Sequence, residues 1–134
     1  MRILIVEDDF GSRRFLQALF QGMPEVYVDV VVDGDEAVQA FQLAWEEKTP
    51  YELILLDIMM PNMDGHEALQ EIRKFEESIG VHHKDRVSVI MTTALGDPRN
   101  VVDAYYHGEA DAYLVKPIEQ QKLFATMAQL GFAL

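Results

Sequence analysis

The chain has no cysteine, which removes disulfides, thiolate metal sites and cysteine nucleophiles together. Basic residues are scarce: 11 Lys and Arg stand against 23 Asp and Glu, for a formal net charge of −12. Nucleic acid and anionic membrane surfaces both demand a basic face, so neither is expected as a direct partner. Apolar runs are short, and none approaches the roughly 20 residues of a membrane span. The opening run Ile3-Leu4-Ile5-Val6 passes straight into acids, unlike a signal peptide. Low-complexity tracts, repeats and linker-like segments are missing too. These absences leave a soluble, cytoplasmic protein as the expectation.

What is present is ordinary globular material. Hydrophobic residues make up 49% and charged residues 25% of 134 positions, enough for one domain over residues 1–134 with a real core. Short apolar runs alternate with stretches of helical period. The runs are Ile3 to Val6, Val26 to Val32, Leu53 to Leu56, Val87 to Thr92 and Ala112 to Val115. Between them, one helical face is expected from Phe15, Leu16, Leu19 and Phe20, a second from Val38, Phe41 and Trp45, and a third from Leu69, Ile72 and Ile79. Asp33 with Glu36 forms a capping box, and Gly22 with Pro24 closes the first helix. Asp97-Pro98 opens a fourth helix that Gly108 closes, and Leu123, Phe124, Met127 and Leu130 carry a fifth. Strand–helix alternation of this kind predicts an α/β fold. The expected form is a flavodoxin-like (βα)5 three-layer sandwich, its parallel five-stranded sheet ordered 2-1-3-4-5.

In such a fold, ligands bind outside the carboxyl ends of the strands. The strand ends here offer Glu7-Asp8-Asp9, Asp57, Thr92-Thr93-Ala94 and Lys116-Pro117. Asp57 is the most telling, because a carboxylate closing a buried apolar run is costly to keep without a charged partner. Clustered carboxylates cannot all ionise comfortably without a cation, and hard oxygens without His or Cys favour magnesium. A lysine and a hydroxyl across the site suit phosphoryl oxygens, and an aspartate can act as a covalent nucleophile. Singly, each residue has a plain structural explanation, as a cap, a surface lysine or a strand threonine. Their joint placement at the ends of the central strands is what points to chemistry. His66, His82, His83 and His107 show no third ligand and are expected to be structural or solvated.

Val6-Glu7-Asp8, Leu56-Asp57-Ile58-Met59-Met60-Pro61 with Asp64-Gly65, Thr93-Ala94, and Tyr113 with Lys116-Pro117 occur in this order along the chain. This constellation resembles the receiver domain of two-component response regulators, the CheY-like family. The resemblance implies Asp57 as phosphoacceptor, Asp8 as a direct Mg2+ ligand and Glu7 as a second acid acting through water. It implies Met59 as the source of a carbonyl for the metal, Thr93 as the switch hydroxyl, Lys116 as its cationic partner and Tyr113 as the aromatic that follows the switch. A cis Lys116-Pro117 peptide is expected. The implied donor is a phosphohistidine on a sensor histidine kinase or phosphotransfer protein. The implied output is a downstream protein bound on the face of the fourth helix, fifth strand and fifth helix, where one of Tyr105 and Tyr106 would point outward. Arg13, Arg14 and Leu16 are candidates for the kinase contact.

By register the family favours Glu7-Asp8 over Asp8-Asp9 as the acidic pair, and Thr93 over Thr92, although a strand buried on both faces offers no alternation to choose between them. The positions two residues beyond Asp57 and Thr93 are Met59 and Leu95, which offer no polar group to orient an attacking water, so slow loss of the phosphoryl group is expected. The length suggests a single-domain regulator that is not an enzyme beyond its own phosphorylation and slow autodephosphorylation. A dehalogenase-type phosphatase would need an acid where Met59 stands. A receiver-like module signalling without phosphate is the remaining alternative.

Overall fold

The computed structural model describes residues 1–94 and 109–133. The expected fourth helix, with Leu95, Asp97, Pro98, Tyr105, Tyr106, His107 and Gly108, lies outside the described residues. The elements run β1 (Arg2–Val6), α1 (Phe10–Phe20), β2 (Tyr27–Val31), α2 (Gly34–Glu46), β3 (Leu53–Asp57), α3 (Gly65–Ser78), β4 (Ser88–Ala94), β5 (Ala112–Lys116) and α4 (Gln120–Gln129), with a 3-10 turn at His83–Asp85. Thus α4 is the helix expected as the fifth. All strand pairs are parallel and the sheet order is β2-β1-β3-β4-β5, as the alternation predicts. Among the described residues, no helix is long and apolar enough to cross a membrane.

The apolar runs show why the sheet is covered twice. Successive side chains of a strand point to opposite faces, so a run with no polar residue must be buried on both. Every residue of β3 is buried. Leu4, Val6, Ile54, Leu56, Val89 and Met91 meet Phe41, Leu69 and Ile72 of α2 and α3. Ile3, Ile5, Leu53, Leu55 and Ile90 meet Leu16, Phe20, Leu123 and Met127 of α1 and α4. The edge strand β2 keeps Tyr27 and Asp29 exposed.

The starts of α1, α2 and α3 are fixed by acids. Asp9 accepts from Ser12 N at 2.8 Å, Asp33 from Glu36 N at 2.9 Å and Asp64 from Glu67 N at 2.9 Å. The box acid Glu36 reaches back to Val32 N at 3.1 Å, one residue before the cap. Two expected core positions are corrected: Phe15 and Ile79 are each 44% exposed. Phe15 sits beyond the arc that α1 turns to the sheet, and Ile79 caps α3 past its last turn.

The face of α3 instead buries an ion pair. Arg73 Nη1 donates to Glu76 Oε1 at 2.8 Å and to Val87 O at 2.9 Å. Its Nε and Nη2 donate to Glu109 O at 2.9 and 2.7 Å. The other Glu76 oxygen accepts from Val87 N at 2.8 Å. The pair thereby ties α3 to the start of β4 and to the approach into β5. An (i, i+3) pair of opposite charge reads in sequence as solvated surface, and here it is buried. Removing one partner strands the other, so Glu76→Ala should lower the urea-unfolding free energy by about 3–5 kcal/mol. Arg73→Met with Glu76→Leu should lose much less than the sum of the single changes, and strictly additive losses would contradict a coupled pair.

Candidate functional site

Because the strands are parallel, their carboxyl ends meet at one edge of the sheet. Glu7 and Asp8 follow β1, Asp57 is the last residue of β3, and Lys116 is the last of β5. Glu7, Asp8 and Asp57 each present a carboxylate oxygen within 4.8 Å of the others. Glu7 and Asp57 are buried at 1% and 3% exposure, whereas Asp8 is exposed. Lys116 Nζ lies between the buried acids, 2.9 and 3.1 Å from the two Glu7 oxygens and 3.4 Å from Asp57 Oδ1. Of the three consecutive acids, Glu7 and Asp8 face Asp57. Asp9 turns away to cap α1.

The loops hold these groups by close backbone approach. Gly65 N donates to Ile58 O at 2.9 Å, pressing the start of α3 against the end of β3. A Cβ at Gly65 would collide with the Asp57 carbonyl oxygen and with Ile58 Cα, which explains the glycine after Asp64. Met59 is 48% exposed, and its backbone N–H donates to Asp57 Oδ1 at 3.3 Å. Lys116-Pro117 is cis, as expected.

The two threonines separate by face. Ile90 packs beneath α1 and α4, and Met91 beneath α2 and α3. By alternation Thr92 follows Ile90 and Thr93 follows Met91. Thr92 lines a cavity of about 320 Å³ together with Glu7, Phe15, Lys116 and Ile118. Thr93 is 2% exposed and pairs with Val115. Tyr113 pairs with Met91 and packs on the same apolar cluster, so Thr93 and Tyr113 share a face.

Burial pushes the Asp57 carboxyl up to about 7, and the neighbouring Glu7 charge adds to the effect while Lys116 opposes it. For Lys116, burial pulls the ammonium down, but its hydrogen bond to Glu7 and the charges of Asp57 and Glu7 outweigh this and raise it. Three carboxylates meet one ammonium here, and burial makes the ionised form of Asp57 costly. All the clustered donors are hard oxygens, a set suited to a small divalent cation.

One assignment near the rim changes. Leu16 is 3% exposed, so it belongs to the core and cannot meet a partner. Arg13 donates from Nη1 to Asp8 O at 2.8 Å and to Glu7 O at 3.2 Å, which holds its guanidinium against the loop at the pocket's rim. One signal for Arg13 was legible: a cation in the first turn of a helix opposes the macrodipole and needs a reason to be there.

The family model for the response regulator receiver domain matches residues 3–128. The chain belongs to that family. It is 35% identical over 130 residues to the regulatory protein VanRB of Enterococcus faecalis, covering 97% of this chain and 52% of that one. It is 33% identical over 135 residues to the two-component response regulator ORR41 of rice, covering 99% and 96%. The chain thus spans about half the length of some curated relatives, the probable transcriptional regulator ycf27 of Cyanophora paradoxa at 47% among them, and nearly all of another. Among solved structures, the CheX–CheY–BeF3–Mg2+ complex of Borrelia burgdorferi matches with a TM-score of 0.78 at 27% identity, covering 99% of this chain and 90% of that one. The chain is therefore a CheY-like receiver domain of two-component signal transduction, with an acidic pocket at Glu7, Asp8 and Asp57.

In a receiver domain with this pocket, the raised Asp57 couples stability to pH. Its folded value of about 7 lies above the ordinary 3.8. The fold therefore favours the protonated acid, whose contribution is complete below the unfolded value and lost as pH rises through the folded one. In chelator, Asp57→Asn should be more stable than wild type at about pH 8 by on the order of a few kcal/mol. The gap should close as pH falls toward about 4. A pH-independent gap in urea-unfolding free energy would contradict this.

Proposed function

We propose that this receiver domain is a phosphorylation-controlled switch in which Asp57 accepts a phosphoryl group with Mg2+ in the pocket. The observation that carries the reading is the convergence of the Glu7, Asp8 and Asp57 oxygens within 4.8 Å, with Lys116 bridging the two buried acids. The oxygen-only donor set fits magnesium: Asp8 and Asp57 would hold it directly, Glu7 through water, and Met59 through its backbone carbonyl. When bound, Mg2+ supplies positive charge to the carboxylates and to the phosphoryl oxygens.

An Asp57 oxygen attacks the phosphorus of a phosphohistidine in line. The P–N bond breaks with its electron pair going to the ring nitrogen, the ring, protonated on its other nitrogen, leaves as neutral imidazole, and an acyl phosphate forms. Lys116, already against Asp57, shifts onto a phosphoryl oxygen. Thr93 supplies the switch hydroxyl, and Tyr113, on the same face, follows it. The new charge biases a two-state surface, which is how a local modification becomes a contact signal. The donor is a sensor histidine kinase or phosphotransfer protein, and the Borrelia structure is that of a CheY in complex with a second protein, CheX. A downstream protein would bind the face formed by the fourth helix of the family, β5 and α4. Its described part carries exposed Val115, beside a groove lined by Leu114, Ile118, Glu119 and Lys122.

The domain is a phosphate acceptor rather than a turnover catalyst. A phosphatase of related chemistry would need an acid where apolar Met59 stands, and Met59 orients no water for rapid hydrolysis. Retention of the acids and the lysine disfavours a phosphate-independent module.

Incubation with acetyl phosphate and Mg2+ should add one phosphoryl mass to the intact protein. Chelator or Asp57→Asn should abolish the gain. No gain with magnesium present would replace the switch with the phosphate-independent reading.

A further inference from the structure

The β1–α1 loop must hold Glu7 and Asp8 at the pocket against their mutual repulsion and that of Asp57. Backbone position decides where those carboxylates point. Arg13 bonds that backbone directly, with one nitrogen forked between the Asp8 and Glu7 carbonyls at 2.8 and 3.2 Å. The guanidinium is in turn stacked on Phe10, 5.7 Å from the ring centroid. Phe10 is itself 63% exposed, so the stack forms at the surface beside the loop. Arg13 also sits in the first turn of α1, where the helix dipole disfavours a cation. Its two carbonyl bonds offset that penalty. Arg14 shares the Phe10 stack at 5.8 Å but reaches neither carbonyl.

Resting on the magnesium-dependent reading above, we propose that Arg13 is a positioning residue for cation binding. It acts as a clamp on the Glu7 and Asp8 backbone that presets the acidic pair, with Phe10 as its backing. The consequence runs against simple electrostatics. Coulomb's law alone says that deleting a cation near the pocket tightens Mg2+ binding. Loss of a clamp weakens it, because the loop must then be ordered when the ion binds, as for other residues that orient metal ligands from behind.

Titration calorimetry of the full chain with MgCl2 separates the two. Arg13→Met should weaken magnesium binding roughly tenfold, and Arg13→Lys should recover part of the loss. Arg14→Met, which removes the same charge without touching the loop carbonyls, should leave affinity unchanged or tighter. At saturating Mg2+ the maximal rate of acetyl phosphate labelling of Arg13→Met should approach wild type. Arg13→Met binding Mg2+ as tightly as wild type or tighter would overturn the clamp, as would equal weakening in Arg14→Met. Should Arg13→Met fail to fold, Arg13→Gln decides alone, since its shorter amide reaches neither carbonyl: unchanged or tighter affinity overturns the proposal. Absence of Mg2+ binding by wild type would sink the functional reading and the clamp together, whereas wild-type binding with an unaffected Arg13→Met sinks the clamp alone.

Discussion

Two buried carboxylates sharing one ammonium is the constraint on which the rest of this structure depends. Glu7 and Asp57 sit at the ends of neighbouring strands, and Lys116 lies within 3.4 Å of both. Desolvation and like charge act in the same direction on Asp57, and a single lysine does not cancel them. A pocket in that condition has a standing affinity for added positive charge. In the proposed switch, that tension would draw a cation in, and the cation's charge would return Asp57 to the ionised form that can act as a nucleophile.

Much of the surrounding architecture serves to keep the acids from moving apart. Full burial of β3 on both faces fixes the direction in which Asp57 leaves the sheet. Gly65 lets the start of α3 lie against the Asp57 carbonyl, and Asp64 secures that start by capping it. The far end of α3 is tied by Arg73 and Glu76 to Val87 and Glu109. The helix is therefore fixed at the end that bears on Asp57 and at the end remote from it. Arg13 performs the matching task on the opposite loop, under Glu7 and Asp8.

The sheet order, the burial of β1, β3 and β4 and the cap at Asp33 were legible because each rests on a local pattern: an apolar run, a helical period or an acid before a helix. The convergence of Glu7, Asp8, Asp57 and Lys116 was legible once the fold was known, because parallel strands bring their ends together. Features set by long-range pairing were not. Glu76 reads as a surface acid until Val87, across the loop after α3, takes its second oxygen, and until its partner Arg73 reaches Glu109. Leu16 lay on the apolar face by helical phase yet stood near the pocket in sequence, and its burial decides for the core. Thr92 and Thr93 could be told apart only when Ile90 and Met91 showed which cluster each face of β4 joins.

The charge tension at Asp57 is open to direct measurement by NMR titration of its carboxyl carbon, in chelator and with saturating Mg2+. A midpoint near 7 in chelator, falling well below that when magnesium is bound, is expected. A midpoint in the ordinary carboxylate range of about 4 under both conditions would contradict a pocket built on unneutralised charge.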